Sequence, residues 1–191
     1  MNPLLDFSGL PPFSVITPAH VGPAISQLIA EAGVTLESIA TSTVPPTWDN
    51  VVTPLDDVTE RLSRAWGVVG HLNAVVNSLA LREAYNGMLP TVTAFWTALS
   101  QDQRLYAKYQ QIRASSATFA LSAARNKALD NELRDFRLGG AELSDEKKAR
   151  FKALQEELST LTSTFNDNVL DATNAFAFLV DNESALTGFH V

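Results

Sequence analysis

Residues 144–180 read SDEKKARFKALQEELSTLTSTFNDNVLDATNAFAFLV. Phe151, Leu154, Leu158, Leu161 and Phe165 recur at spacings of three and four, and Val169, Ala172 and Phe176 continue the series. That period draws one apolar stripe along a long helix. Ser144 stands at its cap, with Asp145 and Glu146 at the positive end of the dipole. Taken as helical to Phe176, the segment is roughly 50 Å long at 1.5 Å per residue. The pattern predicts a core spine as far as Phe165 and, beyond it, a join reaching outside the bundle. The closing AFAFLV of 175–180 alternates like a short strand bounded by Asp181-Asn182.

The chain before this stretch divides into further helices. Residues 1–16 carry Pro3, Gly9, Pro11 and Pro12, which forbid a long helix. Leu4, Leu5, Phe7, Leu10, Phe13, Val15 and Ile16 make this an apolar extended arm, expected to lie across the core. Thr17-Pro18 opens a helix running to about Ala40, and Val44-Pro45-Pro46 closes the segment. Thr47 caps a short turn over Trp48 to Val52, and Thr53-Pro54 repeats the device for a helix to about Val76. Asn77-Ser78 starts the next, from about Leu79 to Leu99, with a bend expected at Pro90. Ser100-x-x-Gln103 reads as a capping box for a helix from Gln101 to about Ala114. Another covers about Ala117 to Leu138, with Gly139-Gly140 as its left-handed stop. The expected fold is all-α, an antiparallel multi-helix bundle with an extended N-terminal arm and a short strand near the C-terminus. As domains, this is the arm over 1–16 and one helical domain over 17–191.

Composition narrows the function classes. Of 191 residues, 46% are apolar, enough for a packed core rather than disorder. The net charge is −7, and the first hundred residues carry three basic and eight acidic groups. No basic stripe exists for nucleic acid and no basic amphipathic helix for an anionic membrane. No apolar run approaches the roughly 20 residues of a membrane span. The absence of cysteine removes disulfides, thiolate catalysis and cysteine-bound zinc.

The residue types offer no convergent catalytic set. His20, His71 and His190 are scattered, and the His-Glu-x-x-His arrangement is missing. Asn73 and Asn77 share a helix face near His71, which fits contact with a peptide backbone but fits a buried network or solvated face better. Asp56-Asp57 and Glu156-Glu157 are neighbours that point about 100° apart and do not converge on one atom. Asn166-Asp167-Asn168 with Asp171 and Asn174 resembles the start of a calcium loop, without its glycine and distal glutamate. A polar stripe against another domain or water is the better expectation there. Trp48, Trp66, Trp96, Tyr106 and Tyr109 read as core and edge packing. From the residues, no catalytic, cofactor-binding or metal-binding position is expected in this chain.

Four runs carry a resemblance: NPLL…LPPFSVITPAHVGPAI, HLNAVVNSLALREAYNGMLP, KALDNELRDFRLGGAELSDEKKARF and NDNVLDATNAFAFLV. In order, they resemble the N-terminal region of the bacterial oligopeptidase A branch of the thimet oligopeptidase and neurolysin family of zinc metallopeptidases. The resemblance implies a cytoplasmic, mostly helical protein much longer than this chain, cleaving short peptides in a channel between two lobes. It implies that this region walls the channel. Zinc, its His-Glu-x-x-His ligands and the catalytic glutamate would belong to a portion beyond Val191, this chain's implied partner together with short peptide substrates. The chain alone is then expected to be inactive. The alternative is a stand-alone, non-catalytic helical interaction module with no large exposed apolar patch.

Overall fold

The computed structural model describes residues 2–116, 120–182, 184, 187 and 188. Six α-helices and no strand occur among them: α1 (Pro18–Thr41), α2 (Thr53–Val75), α3 (Leu79–Ser100), α4 (Gln103–Ala114), α5 (Ala123–Gly139) and α6 (Asp145–Ala175). The fold is all-α.

Helix boundaries follow local chemistry. At α1, the Thr17 N–H donates to His20 Nδ1 at 3.0 Å, so the histidine closes the first turn. Thr47 and Asn50 form a reciprocal box: Thr47 N–H to Asn50 Oδ1 at 2.7 Å, and Asn50 N–H to Thr47 Oγ1 at 3.2 Å. The π-helical turn Trp48–Val52 that they open continues straight into α2. Thr53 is therefore not a cap, because Val52 before it is already helical. α3 runs unbroken through Pro90. The box expected at Ser100 does not form. Ser100 is the last residue of α3, and its hydroxyl donates to Thr97 O at 2.9 Å. Asp102 caps α4 instead, accepting from the N–H groups of Arg104 at 2.8 Å and Leu105 at 3.2 Å. A carboxylate there suits the helix dipole. α5 begins at Ala123, capped by Ser122, rather than near Ala117; residues 117–119 lie outside the described ones. Gly140 ends it with φ of 99°, a left-handed stop.

α1 serves two cores. Val21, Ala24, Ile25 and Leu28 pack with Leu62, Ala65, Val69 and Leu72 of α2 and with Leu81 and Val92 of α3. At its other end, Ile39 joins Val51, Val52 and Leu55, Leu105, Tyr109 and Ile112 of α4, and Leu129 and Phe136 of α5. The N-terminal arm makes turns at Pro3–Leu5 and Phe13–Val15. It is pinned by buried Leu4 and by Phe7, over whose ring lie the guanidinium groups of Arg61 and Arg64.

The expectation for α6 is overturned. It contributes no buried residue, and Leu154, Leu158, Leu161 and Phe165 are 46–66% exposed. α6 is not a core spine, because α1–α5 close both cores without it. It attaches to α3 by the opposite, polar face. The short strand expected over 175–180 also fails to form. The helix ends at Ala175, and Phe176, Phe178 and Leu179 are exposed, with no sheet edge to pair against.

Candidate functional site

A groove of about 700 Å³ lies between α6 and the α2–α3 corner. Its placement starts at that corner. α2 ends at Val75, and Asn77 takes φ of 44°, a left-handed conformation asparagine tolerates. Asn77 Nδ2 reaches back to Asn73 O at 2.7 Å. Ser78 then caps α3, accepting from Leu81 N–H at 3.3 Å. This turn brings Asn73 and Asn77 to the groove wall. Tyr85, Leu89, Thr93 and Trp96 continue the wall along one face of α3, at spacings of four, four and three. Tyr85 is stacked on Trp66 with ring centroids 4.6 Å apart, which fixes its ring. Burial, and next the Asp167 charge, push its phenol up. α6 supplies the facing wall, with Leu158, Thr162, Asn166 and Val169 among its residues.

A polar clasp holds that wall in place. Arg82 donates to both carboxylate oxygens of Asp171, at 2.8 and 2.7 Å, and its Nε lies 3.4 Å from Asp167. The same guanidinium donates to Asn77 Oδ1. Asn86, one turn on, donates to Asp167 at 3.2 Å and accepts from the Ser163 hydroxyl at 2.7 Å. The hydrogen bond from Arg82 holds the Asp171 carboxyl below its ordinary value near 3.8. Bidentate guanidinium–carboxylate pairing fixes direction as well as distance, so the clasp sets how α6 lies on α3. Asn73 Oδ1, shielded from solvent beside the groove, has no hydrogen-bond partner.

The residues singled out by sequence separate clearly. Asn73 and Asn77 come together with Asp167 around the groove. Asp167 and Asp171 bind Arg82 of α3, Asp167 largely covered and Asp171 still 57% exposed. Asn168 and Asn174 are exposed. His71 is apart, exposed and edge-on to Phe13 with centroids 5.6 Å apart. His20 closes α1, and His190 lies outside the described residues. Among the aromatics, Trp96 lines the groove, Arg125 covers Trp48 at 4.9 Å, Tyr106 donates to Glu142 at 2.6 Å and Tyr109 is buried. Of the carboxylate neighbours, Asp56 is pushed up by burial and then by Asp57, while Glu156 lies 3.8 Å from Lys152. The residues that sequence reading missed are Arg82, Asn86 and Ser163. The available signal was Arg82 and Asn86 four apart on α3, matching the Asp167–Asp171 spacing on α6.

Among the described residues, no group of three or more His, Cys, Asp or Glu is placed to hold a metal ion. They do not fit a zinc ion, and no step of hydrolysis is assigned to them. Nor is any described helix long and apolar enough to cross a membrane.

The chain is 44% identical over 188 residues to oligopeptidase A of Haemophilus influenzae, covering 98% of this chain and 27% of that protein. It is 40% identical over 187 residues to oligopeptidase A of Escherichia coli K12, covering 98% and 28%. A dipeptidyl carboxypeptidase of Salmonella typhimurium is 28% identical over 191 residues, with 98% and 28% covered. The chain thus spans about a quarter of the length of these relatives. Residues 25–148 match the family model described as the neurolysin/thimet oligopeptidase N-terminal domain. That segment runs from Ile25 within α1 to the first turn of α6, and the chain belongs to the family of neurolysin and thimet oligopeptidase N-terminal domains.

Proposed function

We propose that this chain is the N-terminal helical domain of an oligopeptidase A-like zinc metalloendopeptidase. In this reading it walls the channel that admits short peptides, and the zinc and the hydrolytic residues belong to a portion outside the chain. Its compartment is the cytoplasm, and its partners are that hydrolytic portion and short peptide substrates. One observation carries the reading: the match to the N-terminal-domain family over residues 25–148, within relatives about four times longer. The groove between α3 and α6 supports it, since its amide and hydroxyl groups suit an extended peptide passing along a wall.

The test is cleavage of a quenched fluorescent peptide by the purified 191-residue chain, with zinc added or with a chelator. No turnover is expected in either. Zinc-dependent cleavage abolished by the chelator overturns the assignment of chemistry to a separate portion. Reading the coding sequence past Val191 decides the rest. A downstream His-Glu-x-x-His supports the domain reading, and a stop codon supports a stand-alone interaction module.

A further inference from the structure

α6 carries an apolar stripe that the two cores leave unused. At about 100° per residue, Leu154, Leu158, Leu161, Phe165 and Val169 fall within one arc of about 80°. Between Leu154 and Val169 no charged residue falls in that arc. Leu158, Phe165 and Val169 line the groove on its α6 side, and Leu154 and Leu161 lie beside them, outside the lining. All five are exposed, by 46–66%. Flanking the groove-lining Ala74 and Asn77, the α2–α3 corner exposes Val75, Val76 and Leu79 as well, by 61–73%.

We propose that the portion of the polypeptide downstream of Val191 packs along this stripe, through an apolar and uncharged surface of its own. The inference rests on the domain reading and names the surface by which that domain meets its remainder. The relatives are about four times longer than the chain, so the reading supplies ample polypeptide to cover the stripe. That portion would be joined to α6 through the stretch 176–191 alone. A short covalent link raises the local concentration of its partner far above that of a free second copy. Charge agrees with this occupant. Lys147, Lys148, Arg150 and Lys152 precede the stripe, and Asp167 and Asp171 are bound to Arg82. Covering the stripe with an apolar face therefore strands no charge. A stand-alone module would have no reason to leave such a stripe open to water.

The test compares the 191-residue chain with the longer polypeptide encoded by its reading frame. Hydrogen exchange with mass spectrometry should show the amides of 154–169 exchanging roughly tenfold or more slowly in the longer polypeptide. Leu154→Glu with Leu161→Glu, at positions exposed in the shorter chain, should leave its thermal midpoint in place. The same pair should lower the midpoint of the longer polypeptide by several degrees. Equal exchange of 154–169 in the two chains overturns this inference and leaves the domain reading standing. So does a double variant that lowers both midpoints alike. Protection of 154–169 that fades on dilution of the longer polypeptide assigns the stripe to a second copy and overturns the inference too. A reading frame that stops at Val191 overturns both readings together.

Discussion

Single residues decide how closely the helices approach. Gly139, at the end of α5, lies so near α3 that an added Cβ would stand 2.4 Å from Ser100 Cβ. That neighbour is the first atom of a side chain and cannot swing aside. Gly139→Ala should therefore destabilise the fold by about 1–3 kcal/mol through overpacking, measured by urea denaturation. Glu132 on α5 shows a different effect. Glu132 keeps an exposed edge, but partial desolvation by its neighbours first, then the charges of Asp56 and Asp135, push its carboxyl above 4.5. A raised carboxyl favours the folded state most below its ordinary value, and that contribution is lost as pH rises through the folded value. Glu132→Gln removes the charged form, so the variant should be more stable than the parent at pH 7. The difference should close as pH falls below 4.5, checked by thermal denaturation across pH.

At the scale of elements, α6 depends on polar contacts where α1–α5 depend on apolar burial. Its backbone amides should exchange hydrogen faster than those of α1 and α2. Arg82→Ala removes the centre of the clasp, and α6 exchange should rise several-fold while the two cores keep their protection, read by hydrogen exchange with mass spectrometry. Acid should imitate the substitution. The Asp171 carboxyl is held below its ordinary value near 3.8 by the hydrogen bond from Arg82. Its contribution is complete above that value and is lost as pH falls through the lower folded value. Release of α6 is therefore expected only in strong acid. If α6 exchange in Arg82→Ala matches that of the parent chain, the clasp is not what seats the helix.

At the scale of the molecule, both hydrophobic clusters are built without α6. A chain ending at Leu143 should keep a cooperative unfolding transition and lose only ~1–2 kcal/mol, since surface ion pairs contribute little. Collapse of that shorter chain to an unfolded state would show that α6 supports the bundle after all.

Much of the fold was legible along the chain because its signals are local. Thr17 with Pro18, Ser78, and Gly139 with Gly140 mark helix ends by what their own backbones and side chains can do. The apolar period marked α6 as a helix with equal clarity. Where a feature needed a partner, local reading failed. Ser100 looked like a cap until Asp102 offered a stronger acceptor two residues on. AFAFLV looked like a strand, but a strand exists only beside another. Asn73 and Asn77 could be placed on one face, yet the groove they help to line also needs α6 opposite. An apolar stripe states that a helix has an apolar side, not which way that side turns. That was settled only in three dimensions, where Arg82 and Asn86 bound the acidic face of α6 and left Leu154 and Leu161 exposed. The sequence by itself determined six helices and the family to which they belong. The tertiary structure decided that the longest of them lies outside the core, because α1–α5 fill both cores and the contacts left to α6 are the polar groups of α3.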